Sequence, residues 1–204
     1  MSSKKSLHLE MGTGAIYHAG VLMPDATALL VIDLQDRFRQ AMAGFEPILK
    51  CCVRLVHVFR ALGLPILVTE QYPKGLGPTV PELLEALSAP GGTAVQISEK
   101  TSFSSYGCQG LPASLDRWSP KCVLVCGIET HVCVNQSVHD LLQAAYRVHV
   151  AADAVASRKV FDHEVALRKM EQSGAAITTT EMAVFELLRD AKHPKFKELQ
   201  ALLK

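Results

Sequence analysis

The sequence predicts an α/β protein: a single-domain three-layer sandwich in which a six-stranded, mostly parallel sheet carries helices on both faces. Three observations predict it. Short apolar runs rich in β-branched residues, such as Ala26–Asp33 (ATALLVID), Pro65–Thr69 (PILVT) and Cys122–Cys126 (CVLVC), have the length and composition of strands buried on both faces. Segments with apolar residues at helical spacing separate these runs, and strands alternating with helices require right-handed crossovers and a parallel sheet. A chain of 204 residues, 49% apolar and 20% charged, also suits one domain with a full core.

Residues 1–25 carry Ser, Lys, Gly and His without strong periodicity and read as an arm and lead-in; residues 26–204 read as the domain. Gly12-Thr13-Gly14 is no phosphate loop, because no strand precedes it and no clear helix follows. The first strand, 26–33, ends in an acid, and Gln35–Phe38 reads as a loop. Ile48, Leu49, Cys52, Leu55, Val56 and Phe59 share one face of a helix over 46–62, which Gly63 and Pro65 stop. A second strand over 65–69 leads into a Gly/Pro-punctuated loop over 70–78 and a short helix over 81–87. A third strand, 94–98, ends at Glu99-Lys100. Residues 101–110, polar and aromatic with glycine, form a loop, and 112–118 a short helix. The strand over 122–126 turns at Gly127–Thr130 into a helix that runs to Tyr146. A fifth strand, 147–151, leaves Asp153 just past its end. A helix over 162–173 closed by Gly174, a sixth strand over 175–178, and closing helices over 181–189 and 195–203 complete the chain.

Bulk properties exclude several classes. A net charge of +1 is not the basic footprint of a nucleic-acid binder. No apolar run is long enough to span a bilayer. Six cysteines without a secretory signal point to an intracellular, cytoplasmic, reduced setting. The arm lacks arginine and holds few acids, which leaves a mitochondrial presequence as the alternative. Cys122 and Cys126 read as core residues of a strand, and Cys51-Cys52 as helix residues with a core or surface role.

Chemistry in parallel α/β folds gathers beyond the carboxyl ends of the strands. Asp33, Lys100 and Cys133 fall at or just after three such ends. With Thr130 as N-cap, Cys133 is the third helical residue. Unpaired amides and the helix dipole favour an anion there, so its thiol is expected to have a depressed pKa and to act as a nucleophile. Asp33 can be its base if its pocket is dry, Lys100 can counterbalance the charges, and amides of the turn before Cys133 can form an oxyanion hole. The bland readings are a turn aspartate, a solvated lysine and an inert cysteine.

Three motifs, LLVIDLQDRF (Leu29–Phe38), SEKTSFSSY (Ser98–Tyr106) and CGIETHVCV (Cys126–Val134), resemble those of the isochorismatase-like hydrolases, a superfamily that includes nicotinamidases, pyrazinamidases and N-carbamoylsarcosine amidases. The resemblance covers about residues 26–180. The loop EQYPKGLGPTVPEL (Glu70–Leu83) and the tail FELLRDAKHPKFKELQ (Phe185–Gln200) are closer still to the isochorismatase domain-containing protein 2 branch, part of which carries the name mitochondrial-associated ribonuclease. The resemblance implies an isochorismatase-like, Rossmann-like fold. It implies Asp33 as general base, Lys100 as charge partner and Cys133 as nucleophile. It also implies a cis peptide at Ile128–Glu129, an oxyanion hole from the amides of Glu129 and Cys133, and pocket walls from Phe38, Gln71, Tyr72, Phe103, Ile128 and Thr130. Family members are commonly dimers, tetramers or larger rings.

The sequence also departs from the family pattern. Nicotinamidases carry an Asp-x-His and further histidines for a metal after the second strand. Here no histidine lies between His57 and His131, so no metal site of that kind, and no cofactor, is expected. Arg37, in a motif that usually reads Asn-Asp-Phe, brings a cation suited to an acidic substrate, although a surface salt bridge is the preferred reading. His131 reads as a capping or interface residue, because side chains two apart on a helix do not face each other. His139 and His163 read as helix-surface residues. The leading expectation is a cysteine hydrolase of a small amide or related carbonyl compound, acting through a thioester. The alternatives are vinyl-ether hydrolysis of the isochorismatase type, a ribonuclease or nucleic-acid-associated protein, and a non-catalytic scaffold. Val134, Val138, Leu141, Leu142 and Ala145, with Val184, Leu187, Leu188, Phe196, Leu199, Leu202 and Leu203 in the tail, are more apolar surface than one sheet needs, which points to a homo-oligomer.

Overall fold

The computed structural model describes residues 10–11, 15–16, 18, 20–89 and 93–204. A two-residue antiparallel ribbon, β1 (Glu10–Met11) and β2 (Ala15–Ile16), precedes the domain. Gly12-Thr13-Gly14 and the remainder of the possible presequence lie outside the described residues. The sheet consists of β3 (Thr27–Ile32), β4 (Ile66–Gln71), β5 (Val95–Lys100), β6 (Cys122–Ile128), β7 (Arg147–Ala156) and β8 (Ala176–Thr178). Its strand order is β5-β4-β3-β6-β7-β8, and every pairing is parallel. The expected "mostly parallel" sheet is therefore wholly parallel.

The sheet separates two apolar clusters. On one face, α2 (Phe45–Ala61), α4 (Pro81–Ser88), α8 (Thr180–Leu188) and α9 (Phe196–Ala201) cover Leu29, Val31, Val68, Leu124 and Cys126. On the other, α5 (Leu111–Trp118), α6 (Asn135–Gln143) and α7 (Val160–Gln172) cover Leu30, Ile32, Leu67, Val123 and Val125. β3 and β6 are buried along their whole length because each has a strand on both sides and helices on both faces. That environment explains why they read as unbroken apolar runs rather than alternating ones. Cys122 and Cys126 are core residues, as read from the sequence.

Several boundaries differ for tertiary reasons. Asp36–Ala41 is a short helix, α1, rather than a loop. β4 and β5 each continue to the end of the site, with Gln71 paired to Lys100, and Pro73–Leu76 forms a single turn, α3. β7 runs on to Ala156, so Asp153 lies inside it. Its register shifts between Val125 and Gly127, and in that irregular stretch Asp153 accepts from Thr180 N (2.8 Å) and Oγ1 (3.1 Å) at the start of α8. Leu22 and Met23, assigned by sequence to the lead-in, are buried in the first cluster. Val184, Leu187, Leu188 and Leu199 are buried there too, with Phe196, Leu202 and Leu203 packed against them. The apolar surplus of the tail is thus consumed within the chain. Outside the site, the most exposed large apolar side chains among the described residues are Val160 and Phe161 at the start of α7, with Met182 and Phe185 on α8 less so.

His149 on β7 is buried, and neither ring nitrogen has a hydrogen-bond partner among the described residues. Burial, with a smaller push from Arg147, lowers its pKa to about 4. A group with a lowered folded-state pKa contributes stability that is present above its unfolded pKa, near 6.5, and is lost as pH falls towards the folded value. Urea titrations should show stability declining between about pH 6.5 and 4, by up to about 3 kcal/mol from this residue. His149→Leu should flatten that part of the curve. An unchanged slope in the variant would remove His149 as its source.

Candidate active site

The chain runs β3, β4, β5 outward in one direction and then returns to add β6 on the other side of β3. This reversal leaves a crevice beyond the carboxyl ends of β3 and β6, the usual place for a ligand in such sheets. Asp33 follows β3 there with φ +54°, a left-handed conformation that turns it out of the strand line. Its amide donates to Thr69 O (3.1 Å). Its Oδ1 accepts from Thr69 Oγ1 (2.7 Å), and its Oδ2 from Lys100 Nζ (2.7 Å). Both side chains of the ion pair are essentially inaccessible, at 0% and 1% exposure.

Lys100 ends β5 and is fully engaged. Besides Asp33 it donates to Gln71 Oε1 (2.6 Å), Phe103 O (3.2 Å) and Ser102 O (3.3 Å). A buried ammonium requires such a complement, since desolvation without partners would neutralise it. Gln71 is the link to the third group: Cys133 Sγ lies 3.9 Å from the same Oε1. Gln35 in turn fixes Gln71. Its Oε1 accepts from Gln71 N (2.8 Å), while its Nε2 donates to Gln71 O (3.1 Å) and Gly77 O (2.6 Å).

Cys133 is presented by a turn with several unusual features. Gly127, at φ +111°, packs so closely on β3 that a Cβ would overlap the backbone of Ile32. The next peptide, Ile128–Glu129, is cis. Thr130–Val134 then winds as a π-helix, with Val134 N bonded to Glu129 O (3.2 Å), before α6 begins. Such widened turns recur at functional sites. The residue capping this turn is Glu129, without a side-chain cap bond, and not Thr130. Thr130 Oγ1 instead meets His163 Nδ1 (3.0 Å). Below the turn, Ser137 Oγ donates to Cys133 O (2.6 Å) and accepts from Ser105 N (2.8 Å), while Ser105 Oγ lies 3.4 Å from Thr69 Oγ1. The Asp33 and Cys133 ends of the site are thus joined through Thr69, Ser105 and Ser137.

The electrostatics differ from expectation. The thiol of Cys133 is pushed up to about 12, first by burial and then by the charge of Asp33, with Lys100 opposing. The depressed pKa expected from the first-turn position does not hold, because burial of the sulfur, with the Asp33 carboxylate adding to it, outweighs the helix amides. Burial also raises Asp33, against the opposing charge and hydrogen bond of Lys100 and hydrogen bonds from Thr69 and Cys133. The arrangement is therefore a neutral thiol on a carboxylate held by an ammonium.

The structure brings Asp33, Lys100, Gln71 and Cys133 together. Tyr72 and Phe103 flank them as exposed rings, at 54% and 55%. Phe38 packs against the apolar cluster under α2, and the side chain of Ile128 is buried in that same cluster. His163 is a partner of Thr130 rather than a surface residue, and His131 Nδ1 pairs with Ser157 Oγ (2.9 Å). Arg37 makes no ion pair among the described residues; its neighbour Arg39 binds Glu46 (3.2 Å) and Glu82 (2.8 Å). Among the described residues no cluster of His, Cys, Asp and Glu is arranged to hold a metal, and no helix is long and apolar enough to cross a membrane. Gln35, Thr69, Ser105 and Ser137 were not singled out by sequence. Their only signal is a polar residue at or just after the end of an apolar strand (Thr69, Gln35), within a serine-rich loop (Ser105) or on the buried side of a helix (Ser137).

The isochorismatase domain model matches residues 27–182. Isochorismatase domain-containing protein 2A of Mus musculus is 44% identical over 186 residues, covering 91% of this chain and 86% of the relative. Isochorismatase domain-containing protein 2 of Homo sapiens is 41% identical over the same length and shares. Among solved structures, the MAR1 ribonuclease from Caenorhabditis elegans is 42% identical with a TM-score of 0.83, covering 90% of this chain and 92% of that one.

Asp33→Asn removes the charge that, after burial, most raises the Cys133 thiol, and leaves Lys100 to lower it. Iodoacetamide labelling followed by peptide mapping should show Cys133 of the native protein reacting ever faster up to about pH 10 without a plateau near neutrality. In Asp33→Asn the rate at about pH 7 should rise at least about tenfold. A plateau near pH 6 in the native protein would show that its thiolate is already formed.

Proposed function

This chain belongs to the isochorismatase family, and from that premise we propose that it is a cysteine hydrolase acting on a small amide or related carbonyl compound through a thioester. The observation that carries the reading is the buried Asp33–Lys100 pair, 2.7 Å apart, with the protonated thiol of Cys133 held beside it, 3.9 Å from the Gln71 Oε1 that Lys100 also binds.

A thiol with a pKa near 12 is a poor nucleophile until its proton moves. Asp33, raised by burial, accepts that proton as Cys133 Sγ attacks the carbonyl carbon. Lys100 stays charged and keeps the carboxylate aimed. The carbonyl π electrons move to oxygen, and the N–H groups of Glu129 and Cys133, at a helix start where the first donors lack helical partners, hold the oxyanion. The C–N bond then breaks, and the nitrogen takes the proton from Asp33 and leaves as ammonia or an amine. Water, deprotonated by Asp33, attacks the thioester; the C–S bond breaks, and the proton returns to sulfur. Carboxylate and thiol are both restored, so protons and electrons balance over the cycle. Cys133 is only 7% exposed, which suits a compact acyl group, and Gln71, Tyr72 and Phe103 are the walls available to it.

A screen of amides, carbamoyl compounds, vinyl ethers and RNA tests the reading. Turnover of an amide or carbamoyl compound is expected, with an acyl adduct on Cys133 detected by mass spectrometry after acid quench. Cys133→Ala should lower kcat by at least about a thousandfold. Full activity of Cys133→Ala on a vinyl ether would instead mean chemistry through Asp33 alone. RNA cleavage surviving both Cys133→Ala and Asp33→Asn would sink the proposal.

A further inference from the structure

Two hydroxyl residues beside the ion pair, Thr69 on β4 and Ser105 in the loop after β5, are both 0% exposed. Buried hydroxyls give their hydrogens to acceptors of the protein. Thr69 Oγ1 lies 2.7 Å from Asp33 Oδ1. An ionised carboxylate only accepts, so the Thr69 hydrogen is committed to it. Thr69 Oγ1 can then only accept from Ser105 Oγ, 3.4 Å away. Ser105 Oγ has no other hydrogen-bond partner among the described residues, which sends its hydrogen to Thr69. The direction from Ser105 to Thr69 to Asp33 therefore follows from which atoms can donate. The link to Asp33 is short and charge-assisted, and the link from Ser105 is long and weaker.

We propose that Thr69 and Ser105 are positioning residues of the site: a one-way hydroxyl chain that keeps Asp33 in its proton-accepting form at rest and makes it a brief holder of the proton during reaction. The chain acts on Asp33 whatever the substrate; its use in turnover rests on the hydrolase reading. Lys100 Nζ donates to Oδ2 and has no lone pair with which to accept. Both side-chain partners of the carboxylate are thus donors, and bonds donated to the charged form favour it. Burial acts in the opposite direction. A protonated Asp33 would need an acceptor. Turning the Thr69 hydrogen towards Ser105 would supply one, but would leave the Ser105 hydrogen without an acceptor among the described residues.

In the proposed reaction the electron pair of Cys133 Sγ forms the C–S bond while its proton passes to a carboxylate oxygen. The neutral acid then faces two donors, so its proton goes on to the nitrogen as the C–N bond breaks, and the carboxylate is restored. The end of the chain is placed by the nucleophile's own helix. Ser105 N donates to Ser137 Oγ (2.8 Å), and Ser137 Oγ donates to Cys133 O (2.6 Å). The titratable groups that act on Asp33 are Lys100 at the end of β5 and Cys133 in the turn after β6, and β4 presents the uncharged Thr69. Changes at Thr69 and Ser105 leave both titratable groups in place.

A carbon NMR titration of the full chain, labelled at its aspartate carboxyl carbons, reads the midpoint of Asp33 directly; loss of the resonance in Asp33→Asn assigns it. Removing a donor disfavours the charged form, so Thr69→Val should move that midpoint up by about one pH unit. Thr69→Ser keeps a hydroxyl and should return the native midpoint. Ser105→Ala should move it up by a smaller step, because its link is the longer one. Thr69→Val/Ser105→Ala should match Thr69→Val alone, because Ser105 acts through Thr69. A merely structural role would lower the melting temperature and leave the midpoint where it was. An unmoved midpoint in a folded Thr69→Val overturns the proposal, and so does one in Ser105→Ala, which decides the matter should Thr69→Val not fold. A Ser105→Ala shift that adds in full to that of Thr69→Val overturns the chain. None of these titrations needs a substrate, so a failed hydrolase screen and a failed chain are told apart.

Discussion

The buried ion pair of Lys100 with Asp33 is the constraint to which the rest of the site answers. Neither charge reaches water, so each must be met by protein groups. Lys100 spends its donors on Asp33, Gln71 and two loop carbonyls, and Asp33 takes further bonds from Thr69. The ends of β3, β4 and β5 are thereby drawn to one level, and the loop after β5 is pulled over the ammonium. Losing either partner would leave the other as an uncompensated buried charge, which typically costs about 3–5 kcal/mol. The pair therefore has structural consequences as well as chemical ones.

The same pair, after burial itself, sets the state of the Cys133 thiol. A cysteine on a first helical turn ordinarily gains acidity from unpaired amides. Here burial of the sulfur reverses the sign, the nearby carboxylate adds to it, and the thiol remains protonated. A protonated thiol resists adventitious oxidation at rest, since oxidants react with the thiolate, and in the proposed cycle its proton is already beside the carboxylate that would pass it to the departing nitrogen. In the proposed reaction, reactivity then depends on a substrate carbonyl reaching the sulfur while the proton crosses to Asp33. The turn that sets this geometry is built by Gly127 against Ile32 and by the bonds from Glu129, Thr130 and His131 to the segment before and at the start of α7.

The order of elements was legible in the sequence because burial on both faces writes itself as continuous apolar runs, and amphipathic helices write themselves with a period of 3.6. β3 and β6 are the clearest cases. Short elements were not legible. α1 at Asp36–Ala41 and the single turn α3 carry too few residues for a period, and their backbone conformation is set by what they dock against. β7 reads as ending at Ala151 because Asp153 interrupts the apolar pattern. The strand continues through them because its register shifts there and Asp153 is used to hold Thr180.

By itself the sequence determined the α/β class, the six strands and the family, and it marked Asp33, Lys100 and Cys133 as candidates, because each of these is encoded in composition, period or a contiguous motif. Tertiary structure alone decided that Gln71 links Lys100 to Cys133, that Thr69, Ser105 and Ser137 join the two ends of the site, and that the thiol is raised rather than lowered. Those properties depend on distances between groups far apart in the chain, Gln71 lying 29 residues from Lys100 and 62 from Cys133, and on the exclusion of water from the space between them. Electrostatic interaction scales with separation and local dielectric, and neither quantity exists until the strands have paired.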